Sequence, residues 1–144
     1  MIYLGADHRG FQLKEEIKKF LAGKNYQFED MGNFAYDPSD DYTDFAKLVA
    51  QKVAEKPEEH KGVLICGSGV GVDITANKFH GVRSALADDI ATAKQSREHD
   101  DANVLSLPAN EVGFELAKQI LETWLTTPFS NGEKYKRRID KMEQ

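Results

Sequence analysis

A single cysteine in 144 residues excludes an internal disulfide, and a lone thiol fits a reducing compartment. No apolar stretch approaches the roughly 20 residues of a membrane span. The opening Met1-Ile2-Tyr3-Leu4-Gly5-Ala6-Asp7 lacks the layout of a signal peptide, so a cytoplasmic protein with no membrane partner is expected. Basic charge is also short. The formal net charge of −5 argues against nucleic acid as a partner, since domains that bind it carry a net basic field. His8, His60, His80 and His99 show no paired ligand spacing, so no metal is expected. Asp37, Asp40, Asp41 and Asp44 lack the spacing of a calcium loop and read as loop and helix-cap residues. No repeat or low-complexity segment appears, and the length suits one domain, 1–144, with a real core but no room for a second substrate domain.

What is present alternates. Ile2 to Ala6 reads as a buried strand ending in Asp7-His8-Arg9-Gly10. Phe11, Ile17, Phe20 and Leu21 then recur at helical spacing up to a C-cap at Gly23. Tyr26 to Asp30 is a second strand, and Met31 to Asp41 a loop. Phe45, Leu48, Val49 and Val53 mark a second helix. The third strand, from Val63, breaks into Gly67-Ser68-Gly69-Val70-Gly71 and a helix running to about Phe79. Val82 to Ala87 is a fourth strand, Asp88-Asp89 caps a helix through Arg97, and Asn103 to Leu107 is a fifth strand stopped by Pro108. A long helix follows from Val112 to Leu125, then a turn over Pro128 to Gly132. A basic terminal helix spans about residues 134–143. Five strand–helix alternations predict an α/β fold with a parallel sheet and helices on both faces. Ligands of such sheets bind outside the carboxyl ends of the strands. Asp7-His8 and Cys66 to Gly71 follow strands one and three, so both reach that rim.

Cys66 stands where strand becomes loop, facing the amides of a helix N-terminus, a setting that favours a thiolate able to act as base or nucleophile. By itself such a cysteine is equally a small buried hydrophobe, and the glycine loop is a weak phosphate signal. Together they suit proton abstraction beside a carbonyl. In that reading Cys66 could serve as the base, and the amides of Gly67, Ser68, Gly69, Val70 and Gly71 as donors to the enediolate oxygen. Ser68 either bonds the thiolate or a substrate hydroxyl, or closes its own turn. His99, in Arg97-Glu98-His99-Asp100-Asp101, follows a helix at the opposite rim. If functional, it enters another subunit's site. Lys134, Lys136, Arg137 and Arg138 are a solvated helix face unless that helix crosses to a neighbour.

The stretches Gly5-Ala6-Asp7-His8-Arg9-Gly10-Phe11, Ile65-Cys66-Gly67-Ser68-Gly69-Val70-Gly71, Ala76-Asn77-Lys78 with Gly81-Val82-Arg83, and Ala102-Asn103-Val104-Leu105, in this order, resemble the ribose-5-phosphate isomerase B family. The wider group includes galactose-6-phosphate isomerase subunits. The resemblance covers nearly the whole chain. It implies a five-stranded Rossmann-like three-layer sandwich and a homodimer or dimer of dimers with sites at the subunit interface. It also implies a sugar-phosphate substrate, carbohydrate metabolism of the pentose phosphate type, and no cofactor. Cys66 would shuttle a proton between C1 and C2, with Ser68 standing where the family has Thr or Ser. Asp7 and His8 would contact the sugar, His99 would help open the furanose ring, and Arg137 would reach the phosphate from the partner chain. Three departures bear on the substrate: Asp100 where the family usually has asparagine, Asn110 where it often has arginine, and Asn131-Gly132-Glu133-Lys134 in place of Gly-Gly-Arg-His. The last two replace positive groups with an amide and a carboxylate, for which Lys134 and Arg138 would compensate.

The leading expectation is a cofactor-independent aldose–ketose isomerase of ribose 5-phosphate and ribulose 5-phosphate, with a six-carbon or unphosphorylated sugar as the alternative. A nucleotide-binding or regulatory module is the competing class. It lacks a G-x-G-x-x-G after the first strand and the Gly-Lys-Ser/Thr ending of a P-loop. A family member without catalysis is the third reading.

Overall fold

Every residue of Ile2–Ala6 is buried, and the run pairs along both edges, as the central position of a parallel strand requires. A computed structural model describes residues 1–144. In chain order the elements are β1 (Ile2–Ala6), α1 (Phe11–Gly23), β2 (Phe28–Asp30), α2 (Tyr42–Glu55), β3 (Lys61–Cys66), α3 (Val70–Ala76), β4 (Ser84–Leu86), α4 (Ile90–Asp100), β5 (Val104–Pro108), α5 (Phe114–Thr126) and α6 (Glu133–Met142). The five strands form one parallel sheet in the order β2-β1-β3-β5-β4, as the alternation predicts.

The two faces follow from the period-2 alternation of strand side chains. Val63 and Ile65 join Leu13, Ile17 and Leu21 of α1 and Ile120, Leu121 and Trp124 of α5 in one cluster. Leu64 and Cys66 point the other way, into Val49 and Val53 of α2 and Val72 and Ala76 of α3. From β1 the chain steps to one edge, and from β3 it steps toward the other. Right-handed crossovers in opposite directions put α1 and α3 on opposite faces. The carboxyl ends of β1 and β3, adjacent in the sheet, are therefore the switch point where the following loops diverge.

Boundaries differ from the sequence reading in several places. β2 and β4 are only three residues long, α3 stops at Ala76, and Pro108 closes β5 rather than following it. As the last residue of its strand, Pro108 has no further ladder bond to break. α4 runs on to Asp100, so His99 lies within the helix rather than after it. Asp89 is the N-cap, accepting from Thr92 N–H at 2.6 Å. No helix is long and apolar enough to cross a membrane. α6 buries none of its side chains. It is tied back at its end by Glu143, which accepts from Arg83 Nη1 at 2.8 Å and Gly81 N–H at 3.0 Å.

Under α3 sits a carboxylate network. Asp73 Oδ1 accepts from Ser84 Oγ at 2.6 Å, and that oxygen lies 2.9 Å from Ser106 Oγ, fully buried in β5. Burial raises the Asp73 carboxyl above its ordinary value, the two serines only partly offsetting it. A carboxyl raised on folding binds more protons folded than unfolded, so its effect on stability turns unfavourable as pH climbs through the raised value. Asp73→Asn should therefore melt higher than the parent at pH 7. The gap should close as pH falls toward about 4, where the unfolded carboxyl also protonates. Thermal unfolding at the two pH values checks this, and a gap that widens on acidification contradicts it.

Candidate active site

The loop between β3 and α3 is shaped by Gly69, which holds φ +75°, a left-handed conformation that side chains with a Cβ rarely adopt. That turn aims the Gly69 N–H back at Cys66 Sγ, 3.1 Å away. Val70 N–H donates to Ser68 Oγ at 3.2 Å. The first bond within α3 runs from Asp73 N–H to Gly69 O, so Gly67, Ser68 and Gly71 keep N–H groups with no acceptor in the chain. The loop thus divides its amides: one faces sulfur, one closes the serine turn, and three remain open. Cys66 is 4% exposed and is one of the residues lining the cleft described below, while Ser68 is exposed.

From the neighbouring strand comes Asp7, whose Oδ1 accepts from the N–H groups of Arg9 (3.0 Å) and Gly10 (3.1 Å), fixing the turn into α1. His8 Nδ1 lies 2.8 Å from Asp40 Oδ1, which also accepts the His8 N–H at 3.0 Å. Asn33 Nδ2 donates to the other Asp40 oxygen at 2.8 Å. His8 therefore has Nε2 left for a ligand. The segment that carries Asn33 and Asp40 is anchored from below by Lys14, fully buried on α1, which donates to Asp30 at 2.7 and 2.8 Å and to the carbonyl of Asn33. Burial works against ionised Asp30, yet donation from Lys14, Lys18 and the Gly32 N–H outweighs it and leaves the carboxyl below its ordinary value. Asp7, His8 and Asp40 have ligand atoms within 4.8 Å of one another, close enough to hold an ion. In the structure Asp40 is committed to His8 and Asn33, and Asp7 to its turn.

A cleft of about 430 Å³ opens at this rim, lined by Asp7, Arg9, Tyr42, Cys66, Gly67, Ser68, Val70, Gly71, Ile74 and Asn110. That volume suits a small polar ligand. Asp7, Cys66, Ser68, Gly67, Val70 and Gly71 are thus brought together as the sequence predicts, whereas Gly69 and His8, their neighbours in the chain, are not part of the lining. Arg9, Tyr42 and Ile74 were not read from sequence as site residues. Tyr42 opens α2, whose N-terminus follows β2 and so reaches the same rim, a clue only topology supplies. Its ring lies over Gly71, where a Cβ would stand 2.5 Å from Tyr42 Cζ.

A single chain does not bring His99, Asp100, Lys134 or Arg137 to Cys66. Residues Gly62 to Cys66 pair with Val104 to Pro108. The end of α4, leading into β5, therefore lies roughly 13 Å of strand away, four steps at ~3.3 Å. There His99 stacks on Tyr135 of α6, ring centres 4.3 Å apart and planes 10° from parallel. Asp100 lines a separate cavity of about 570 Å³ between β4 and the end of α6. Lys134 and Arg137 are exposed on α6.

Residues 2–142 match the family described as Ribose/Galactose Isomerase. The crystal structure of ribose-5-phosphate isomerase B from Mycoplasma genitalium with bound ribulose-5-phosphate has a TM-score of 0.96 and 42% identity, covering 99% of this chain and 93% of that one. Ribose-5-phosphate isomerase B of Escherichia coli is 40% identical over 136 residues, 94% of this chain and 90% of its own length. The 4-deoxy-4-sulfo-D-erythrose isomerase of a Clostridium species is 37% identical over 129 residues, 90% of this chain and 80% of its own.

Substituting Gly69 by Ala tests the loop geometry. A Cβ there would stand 2.5 Å from Leu86 Cδ1 and 3.1 Å from the Leu107 carbonyl carbon, on top of the strain of positive φ. Urea denaturation should show a loss of about 2 kcal/mol or more. A variant as stable as the parent would mean the turn does not need this conformation.

Proposed function

The chain belongs to the ribose/galactose isomerase family, and on that premise we propose that it interconverts ribose 5-phosphate and ribulose 5-phosphate without a cofactor, with Cys66 as the base. The observation that carries the proposal is Cys66 lining one cleft with Asp7, its sulfur accepting the Gly69 N–H of a glycine loop that keeps open N–H donors. The substrate is taken from relatives named for this sugar phosphate, one of them with ribulose-5-phosphate bound.

In the open-chain aldose, Cys66 as thiolate takes the proton from C2. The C2–H electrons form the C1=C2 bond, and the former C1 carbonyl oxygen becomes the enediolate oxygen. The amides of Gly67, Ser68 and Gly71 meet that charge in fixed positions, a preorganised stabilisation that water does not match. The hydroxyl proton on O2 passes to O1 beside the Ser68 hydroxyl, and the Cys66 thiol returns its proton to C1. The product has CH2OH at C1 and a ketone at C2, with no net gain or loss of protons or electrons. Asp7 and His8 Nε2 hold sugar hydroxyls. His99 of a second copy assists ring opening, and Arg137 and Lys134 of that copy approach the phosphate, with Asp100 beside them. α6, none of whose side chains is fully buried in its own chain, is the element suited to reach across, in a homodimer or a pair of dimers. A cytoplasmic, reducing setting belongs to the same proposal, because the base must stay a free thiol.

A different aldose with an anionic end is the second reading. It is favoured by the neutral Asn110 in the cleft and by a relative named for a sulfonated four-carbon sugar.

Purified protein should form ribulose 5-phosphate from ribose 5-phosphate, and Cys66→Ala should lower kcat by about 10²- to 10⁴-fold, the usual weight of a positioned base. Full activity in that variant removes Cys66 from the mechanism. Separately, Cys66→Ala and His99→Ala chains, each inactive alone, should regain turnover when unfolded and refolded together. No recovery would place His99 outside the partner's site.

A further inference from the structure

We propose that Arg9 receives the anionic end of the substrate, and that this side chain gives the cleft its preference for a phosphorylated or sulfonated aldose over a neutral one. The inference rests on the isomerase reading and adds to it a specificity residue from the same chain as Cys66.

Among the ten residues that line the cleft, Arg9 is the only cation and Asp7 the only acid. The other basic side chains nearby, and the ring of His8, are engaged elsewhere. Lys14 is buried on Asp30 and the Asn33 carbonyl, Lys18 donates to Asp30 and Glu15, and His8 is held by Asp40. Arg9, by contrast, makes no side-chain hydrogen bond or ion pair within the chain, although half-buried Arg83 and buried Arg97 do. Arg83 is bound to Asp100 O, Asp101 O and Glu143, and Arg97 to Asp101, Ala102 O and Thr127 O.

The side chain of Arg9 is nevertheless steered. Its N–H is fixed by Asp7 Oδ1 at 3.0 Å, which sets the direction in which the turn presents the side chain. Its stem lies across Gly67, so closely that a Cβ there would stand 2.7 Å from Arg9 Cδ, 3.3 Å from Arg9 Nη1 and 2.9 Å from Asn110 Nδ2. The absence of a side chain at position 67 thus makes the bed in which Arg9 lies. It also puts a guanidinium fork and a neutral amide donor side by side over the loop that follows Cys66. A planar fork matches two oxygens of a phosphate or sulfonate, and hydrogen bonds of this charged kind are roughly twice as strong as neutral ones.

Steady-state kinetics of wild type, Arg9→Ala and Arg9→Lys, with ribose 5-phosphate and with D-ribose as substrates, test the proposal. Titration of inorganic phosphate into each protein by calorimetry gives a readout independent of turnover. Arg9→Ala should raise KM for ribose 5-phosphate about tenfold or more and weaken phosphate binding by a similar factor. Arg9→Lys should recover part of both, and KM for D-ribose should stay unchanged. Equal phosphate affinity in wild type and Arg9→Ala overturns the proposal. So does a wild type that binds no phosphate, an equal rise in KM for both sugars, or a change of assembly state on sedimentation. A wild type that binds phosphate through Arg9 yet isomerises neither sugar upholds the anion site and sinks the ribose 5-phosphate reading. An active wild type with an indifferent Arg9→Ala sinks only the role of Arg9.

Discussion

The N–H of Gly69 pointing at the sulfur of Cys66 is the contact from which the rest of the site follows. It exists because β3 ends in residues that alternate between faces, which sends Cys66 toward α2 and α3 rather than toward α1. It also needs the chain to reverse within three residues, which a left-handed Gly69 allows. The same turn leaves neighbouring amides without acceptors. One backbone conformation therefore both positions the thiol and creates the donors that would face a developing oxyanion.

Around that contact, charge is kept apart by local pairing. The acid of Asp7 is held by its own turn, and Asp40 fixes His8. Lys14 lies with no exposed surface beneath the segment that carries Asp40. A buried ammonium is costly unless fully bonded, and three acceptors meet it here. The result orders an eleven-residue loop (31–41) with no helix or strand of its own, and so presents Asp40 and Tyr42 to the rim. Position 110, where the family resemblance led one to expect arginine, holds an amide beside the stem of Arg9. The cleft keeps one cation, reached from the opposite side of the loop.

Much of the architecture was legible because apolar runs and helical periods alternate without interruption. β1, the core of β3 and the amphipathic faces of α1 and α2 follow directly from Ile2 to Ala6, Val63 to Cys66, and the spacings Ile17–Leu21 and Val49–Val53. The ends were less so. Nothing in Arg97-Glu98-His99-Asp100 stops a helix, and α4 runs through it until Asp101 turns left-handed. Cys66 and the glycine loop were legible because a thiol at a strand end followed by three glycines has few uses. Arg9 and Tyr42 were not, because an arginine in a turn and a tyrosine at a helix start are ordinary residues. Only the shared rim, set by strand order, makes them neighbours. Lys14 reads as a surface lysine in sequence, and its burial depends on an acid sixteen residues away.

On the proposal that His99 of a second copy completes the Cys66 site, the separation between Cys66 at one end of the sheet and the His99–Tyr135 stack at the other has a kinetic corollary. A catalyst whose parts belong to two molecules obeys mass action. Below the dissociation constant of the pair, the number of complete centres falls with the square of the total chain present, so turnover per milligram declines on dilution. The dissociation constant of that pair would then set a concentration below which a cell that makes this chain has protein but no enzyme.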